Sequence, residues 1–439
     1  MAYVVGVLVA LLVVLASIAL HEVGHMVPAK RFGVRVSQYM VGFGPTLWSR
    51  TRGETEYGIK AIPLGGYVRL VGMYPTKDAV GAREPRGWAG RLAADAREAS
   101  AEEIRPGEDG RAFYRLSTPK KLLVMFGGPV MNLVIAFVLM AIALVGIGVE
   151  GPTLTVGQVQ PCVLPASAAA GTTCTSDDPR SPAALAGMQD GDTVVSWGGR
   201  QVSTWAELVT AIRASGTEPV AVVVDRGGRQ VDLTVTPVQR EQTAVDAAGN
   251  AVTDASGTAV VTRSSYVGIA PLTAMQHQSL WSVPGAVATT TWQTAKVVLT
   301  LPERVWQVAY STFTGQPRDA TSVIGIVGVG RIAGEVTSVQ GAGISDSLRV
   351  FSLLQMLAAL NVSLFVFNMI PLPPLDGGHI AAALWEGAGR QLARLRGRAR
   401  PRPADTARLM PLSYTMFVLL GGMGLLLVWA DIVNPVRLG

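Results

Sequence analysis

Residues 1–25 read MAYVVGVLVALLVVLASIALHEVGH: a run without a single charge, then three ionisable side chains. An apolar run of about 20 residues is long enough to cross the ~30 Å hydrocarbon core of a bilayer. At its end, His21-Glu22-Val23-Gly24-His25 sets two imidazoles at i and i+4. On a helix these share one face and can bind one Zn²⁺. Glu22, one residue on, is placed to serve as general base towards a water whose pKa the ion lowers to ~7. Three ionisable groups at the end of a membrane-length helix are costly without a task, which argues against a chance match. The run lacks a basic start and a small-x-small cleavage site, so a retained helix is expected rather than a signal peptide.

Composition points the same way. Of 439 residues, 49% are apolar and only 15% charged, against roughly 25% charged in soluble domains. Three further stretches, at about 122–149, 351–370 and 409–429, are apolar enough to span. Charge is unevenly shared. Residues 28–121 carry 17 Lys/Arg against 10 Asp/Glu, residues 150–345 carry 11 against 15, and residues 377–408 carry 7 against 2. Under the positive-inside rule both termini and the middle region lie outside, and the first and third connections are cytoplasmic. The Arg run at 390–402 is expected to face anionic lipid; no nucleic-acid partner is expected.

Between the first two spans, Phe32 to Met73 alternates short β-like runs with glycines, expected to form a small sheet of hairpins at the cytoplasmic membrane face. Ala79 to Arg115 is charged and weakly patterned, and is expected to be a partly helical or mobile insert. The outside region holds a turn at 181–192, a strand Thr193–Trp197, a helix at about 204–214 and strands at 220–225 and 230–236. Asp246 to Gly257 reads as a polar hairpin or loop, and Leu280 to Tyr310 as a moderately amphipathic helix near the outer surface. Cys162 and Cys174 both fall outside, where an oxidising milieu favours a disulfide over two free thiols.

A catalytic zinc site needs a third protein ligand and an open position. Candidates cluster in Asn368-Met-Ile-Pro371-Leu-Pro373-Pro374-Leu-Asp376-Gly377-Gly378-His379. The prolines must break the third span, which a membrane tolerates only where backbone lines a protein cavity. Spans one and three run in the same direction, so Asp376 reaches the depth of His21 and His25. His379 is the rival ligand, or an outer-sphere partner.

These motifs resemble the site-2 proteases, in the branch typified by the regulator-of-sigma-E protease. The resemblance spans nearly the whole chain. It rests on HEVGH, Gly42-Phe-Gly-Pro45, Pro63-Leu-Gly-Gly-Tyr67-Val68, Gly128-Pro-Val-Met-Asn132, Ser322-Val-Ile-Gly325-Ile-Val-Gly328 and the Asn368–Asp376 run. It implies zinc held by His21, His25 and Asp376, water activation by Glu22, and substrate backbone engaged by Asn368. It further implies that Gly66, Tyr67 and Val68 belong to a membrane-reentrant sheet whose edge receives an unwound substrate strand. Asn132 stands as an outer-sphere partner or a close-packing position. The strand–helix–strand order outside resembles a PDZ domain. Some members carry two such domains, whereas this chain has room for one; that, with its Ala/Gly/Arg-rich composition, is similar to actinobacterial members.

The expected fold is thus a multi-pass α-helical membrane protein with four transmembrane helices, a cytoplasmic membrane-associated β-sheet and an inserted extracytoplasmic PDZ domain of α+β type. The expected segments are 1–27, 28–78, 79–120, 121–149, 150–275, 276–345, 346–379, 380–408 and 409–430. The function implied is an intramembrane zinc metalloprotease of the bacterial cell membrane. Its partners would be the lipid bilayer and a single-pass substrate, such as an anti-sigma factor already trimmed by an outside protease. The alternative is a non-enzymatic PDZ scaffold with structural zinc or none, in which Glu22 would have no task. A metal transporter would need acidic or His pairs in several spans, and the second and fourth have none in their apolar cores.

Overall fold

The computed structural model describes residues 2–164, 173–244, 252, 254, 260–319, 322–338, 345–399 and 401–436. The chain divides into two compact units: Met1–Ile147 with Gln278–Gly439, and the intervening Gly148–His277. Each is described separately.

In the first unit, α1 (Ala2–Arg31) carries the whole opening run and the His-Glu-His motif, ending on Lys30 and Arg31, which complement the negative helix C-terminus. Strands β1 (Val36–Arg52) and β2 (Thr55–Leu70) follow as one antiparallel pair. Several short hairpins were expected; instead one long hairpin folds upon itself. Gln38 to Val41 pairs on one side with Glu56 to Ile59 and on the other with Gly66 to Arg69, while Trp48 to Arg52 pairs back onto Thr55 to Ile59. The folding needs backbone that only glycine adopts freely, at Gly42 (φ 94) and Gly65 (φ 113). Residues 66–70 are left at one edge of the four-segment sheet.

The charged insert is partly helical, one of the two alternatives expected. After the short α2 (Lys77–Val80), α3 (Gly87–Glu102) is a regular helix of 16 residues. Two of its three buried residues, Arg97 and Ser100, are polar, so it shows no apolar periodicity. Arg97 makes a two-pronged pair with Asp405, Nε and Nη2 at 3.0 and 2.8 Å. Ser100 Oγ donates to Tyr74 O at 2.9 Å and accepts from Tyr74 N at 3.1 Å. Helix α4 (Thr118–Ala141) then continues through a π turn to Ile147. It crosses α1 where Gly24 meets Gly127 and Gly128; a Cβ on Gly24 would overlap the Gly127 carbonyl. Small residues let the two backbones touch.

The second unit is a mixed layer of sheet and helix. It comprises β3 (Val149–Val159), α5 (Pro182–Leu185), β4 (Thr193–Trp197), β5 (Arg200–Gln201), α6 (Trp205–Ala214), β6 (Val220–Arg226) and β7 (Arg229–Val235). A hairpin, β8 (Val238–Thr243) with β9 (Val261–Tyr266), precedes β10 (Ile269–Gln276). Strand order is β10-β3-β4-β6-β7, with β5 beside β4. Val156, Val194, Trp197, Leu208, Val222, Val224 and Val235 form one core. Burial alone would raise the Asp192 carboxyl, but Arg226 (2.7 and 2.8 Å) and the Gln189 N–H (2.9 Å) hold it below its usual range. Cys162 and Cys174 are joined by a disulfide, with Cα atoms 6.0 Å apart. The expected loop at 246–257 lies outside the described residues, apart from 252 and 254.

The chain then returns to the first unit. The stretch at 280–310 is helical, as expected, and forms two helices, α7 (Ser282–Leu299) and α8 (Leu301–Thr314), parted near Pro302. Helices α9 (Ile326–Ser338) and α10 (Asp346–Asn368) follow. The prolines end α10, and α11 (Asp376–Leu395) begins at the candidate ligand. The basic segment expected as a loop is therefore helical through Leu395. Helix α12 (Met410–Val433) completes the unit. Among the described residues, four helices are long and apolar enough to cross a membrane: Ala2–Arg31, Thr118–Ile147, Asp346–Asn368 and Thr406–Val433. One buried ion pair ties α12 to the segment before α9. Asp431 Oδ1 accepts from Arg318 Nη1 at 2.9 Å, and Oδ2 accepts from the N–H groups of Gly325 and Gly328 at 2.7 and 2.8 Å. Both carboxylate oxygens are occupied, which offsets the cost of burying the pair, although Arg318 Nε has no hydrogen-bond partner among the described residues.

Candidate metal centre

His21 and His25 sit one turn apart on α1, and the break after α10 turns the start of α11 to face them. The three donor atoms form a nearly equilateral triangle. His21 Nε2 and His25 Nε2 are 3.2 Å apart, and each lies 3.3 Å from Asp376 Oδ2. Three ligands around a tetrahedral ion at ~2.0–2.1 Å are separated by roughly 3.3 Å. Asp376 Oδ2 is buried and has no hydrogen-bond partner. A carboxylate oxygen left so, facing two nitrogens, is an electrostatic deficit that a cation would fill. Among the described residues this is the one group of three His, Cys, Asp or Glu side chains that could hold a metal ion. The donor set of two imidazoles and a carboxylate, with a fourth position open, fits zinc.

The surroundings orient both rings. His25 is buried, and its Nδ1 lies 2.8 Å from the Val124 carbonyl of α4. That carbonyl can only accept, so Nδ1 carries the proton and the Nε2 lone pair points at the triangle. His21 Nδ1 lies 3.1 Å from the carboxamide of Asn132, which is almost fully buried on α4. As placed, Nδ2 is the atom facing His21, and Asn132 Oδ1 has no hydrogen-bond partner among the described residues. Turned over, the amide offers Oδ1 as the acceptor for a His21 Nδ1–H, giving that ring the same tautomer as His25.

Glycines of α4 make room for this. A Cβ on Gly128 would overlap the His25 imidazole at Nε2. Gly128→Ala is therefore expected to displace the ring and weaken zinc affinity at least ~10–100-fold, the range seen when a ligand's supporting partner is lost. Competition titration with a chromogenic chelator measures it, and unchanged affinity would show that the ring does not bind.

The sequence candidates converge on one cavity of about 770 Å³. Its walls include His21, Glu22, His25, Gly66, Tyr67, Val68, Asn368, Asp376 and His379. Gly66 lets the sheet edge approach α1 closely: a Cβ there would lie 3.1 Å from Glu22 Cγ. The Val68 backbone N–H faces the Glu22 carboxylate. His379 lines the cavity but is not in the three-donor group. Asn132 supports His21 from behind. Sequence reasoning gave the insert no place at the site, yet Leu92, Asp95, Ala96 and Ala99 of α3 also line the cavity.

Sequence comparison agrees with this geometry. The family model described as Peptidase family M50 matches residues 9–401. The zinc metalloprotease Rip1 of Mycobacterium tuberculosis is 36% identical over 446 residues, covering 100% of both chains. Rip1 of Mycolicibacterium smegmatis is 34% identical over 444 residues, covering 99% of this chain and 98% of its own. The regulator of sigma-E protease RseP of Salmonella typhimurium is 25% identical over 442 residues, covering 83% and 86%. Matched along nearly its full length by the family model and by relatives above 30% identity, the chain belongs to peptidase family M50, the site-2 proteases that its motifs resemble.

Proposed function

We propose that the protein is an intramembrane zinc metalloprotease that hydrolyses a peptide bond within the transmembrane segment of a single-pass protein. The observation that carries this is the triangle of His21, His25 and Asp376 with Glu22 beside it, at the end of a membrane-length helix. Relatives named as zinc metalloproteases support the choice of metal. Zinc, held by His21, His25 and Asp376, would supply a Lewis acid for the scissile carbonyl and would lower the pKa of a bound water towards ~7. Glu22, on the cavity wall beside the triangle, would take a proton from the attacking water and return it to the leaving amine. Asn132 and the Val124 carbonyl keep the two imidazoles in the tautomer that binds.

Residues 66–70 receive the substrate. A peptide bond inside an intact helix is hydrogen-bonded and shielded, so the segment must unwind first. An extended strand added to the sheet edge satisfies its freed backbone groups, while Asn368 holds a carbonyl on the far side. Exposed Phe43, Leu47, Trp48, Ile59 and Ile62 on the same sheet suit insertion into lipid. Both termini and unit Gly148–His277 lie outside the cell membrane, and residues 28–121 and 377–408 lie in the cytoplasm. In this reading the outer unit is a PDZ domain that excludes substrates with an intact outer domain. The reaction is then the second cut of a relay, and an anti-sigma factor is the natural substrate, given a relative named as a regulator of sigma-E protease.

The test uses the full chain in lipid vesicles with a single-pass model substrate. Cleavage inside the apolar segment should stop on chelation and return with zinc but not magnesium. Cleavage indifferent to chelation would refute the metal mechanism.

A further inference from the structure

Helix α3 lies in a segment whose role the sequence did not disclose, yet it forms a wall of the cleavage cavity. Leu92, Asp95, Ala96, Ala99, Ser100 and Glu103 line that space, at spacings i, i+3, i+4, i+7, i+8 and i+11 that define one helix face. The wall is fixed from behind. The buried Arg97 guanidinium grips Asp405, which Arg408 Nε also reaches at 3.0 Å. Asp405 immediately precedes the turn into α12, whose Met410 and Tyr414 line the same cavity. Substrate lying along the sheet edge therefore shares the cavity with α3.

Charge on this wall is not balanced. Apart from Glu22, Asp376 and the imidazoles, the lining carries Arg69, Asp95 and Glu103. Glu103 pairs with Arg69 at 2.6 Å. Asp95 is exposed at the cavity, with no ion pair among the described residues. One negative charge is left facing whatever enters. Single-pass helices carry Lys or Arg where they leave the membrane on the cytoplasmic side.

We propose that α3 is the substrate-reading wall of the cavity, and that Asp95 selects substrates with a basic residue just cytoplasmic of the cleaved segment. This rests on the protease reading and its orientation. Asp95 acts as a specificity residue: it shifts KM between substrates and leaves the chemical step untouched.

The experiment compares two model substrates in vesicles of neutral phosphatidylcholine, identical except for Lys-Lys or Glu-Glu on the cytoplasmic flank. The native chain should prefer the basic flank by about three- to fivefold in kcat/KM, the range of one partly exposed charge pair. The preference should sit in KM and shrink as salt rises. Asp95→Asn should abolish it, and Asp95→Lys should invert it, making the acidic flank the better substrate. Glu98→Lys, exposed on α3 and outside the cavity lining, controls for bulk charge and should change nothing. A ratio that ignores Asp95→Lys, or that moves equally with Glu98→Lys, overturns the proposal while the protease reading stands. Failure of the native chain to cut either substrate overturns both.

Discussion

Glu22→Gln should leave zinc in place and abolish turnover, lowering kcat by about a hundred- to ten-thousand-fold, the usual share of a positioned general base. Glu22 is outside the three-donor group, so metal content should match the native chain. Gln keeps the size of the side chain and can still meet the Val68 N–H through its carbonyl oxygen, so the local fold should persist. What it loses is the capacity to take a proton. The measurement is paired: metal per chain by mass spectrometry, and cleavage rate on the single-pass substrate. Near-native turnover would place the base elsewhere.

Asp376→Ala should act earlier in the same chain of causes. It removes one corner of the triangle and leaves two neutral imidazoles, too few to retain zinc through dialysis. Metal content is expected to fall from about one ion per chain to near zero, with activity at background. His379→Ala makes the contrast. It lines the cavity without joining the triangle, so its variant should keep its metal. The reverse pattern, metal lost with His379 and kept without Asp376, would exchange the two roles.

Much of this site was legible in the sequence because its chemistry is local. Two histidines at i and i+4 share a helix face in any helix, and the apolar run before them fixes where that helix ends. Asp376 needed one further step: spans one and three run in the same direction, which brings a carboxylate at the end of a broken third span to the right depth. The four spans were legible for the same reason, since length and hydropathy decide them without tertiary context.

What stayed hidden depends on distant partners. Helix α3 buries Arg97 and Ser100 instead of an apolar stripe, and Asp405, the partner of Arg97, is 308 residues away. Helix α11 reads as loop because Gly377, Gly378, Gly387 and Gly389 lower its propensity. Three of these glycines allow close approach: a Cβ on Gly377 would overlap the Ile370 carbonyl, one on Gly378 the Pro373 backbone, and one on Gly387 would press on Thr118. The folded hairpin was read as several because each of its segments is a plausible short strand. Only the double pairing of Gln38 to Val41 shows that two strands suffice. The Arg318–Asp431 pair likewise joins residues whose proximity no local pattern encodes.

X-ray absorption at the zinc edge on the purified, metal-loaded chain tests the centre most directly. Two imidazole nitrogens and a carboxylate oxygen at ~2.0–2.2 Å are expected, with a light-atom fourth ligand. In His25→Ala the imidazole scattering should halve or vanish with the metal. A first shell that is indifferent to His25 and Asp376, or full turnover in protein stripped of metal, would contradict the account.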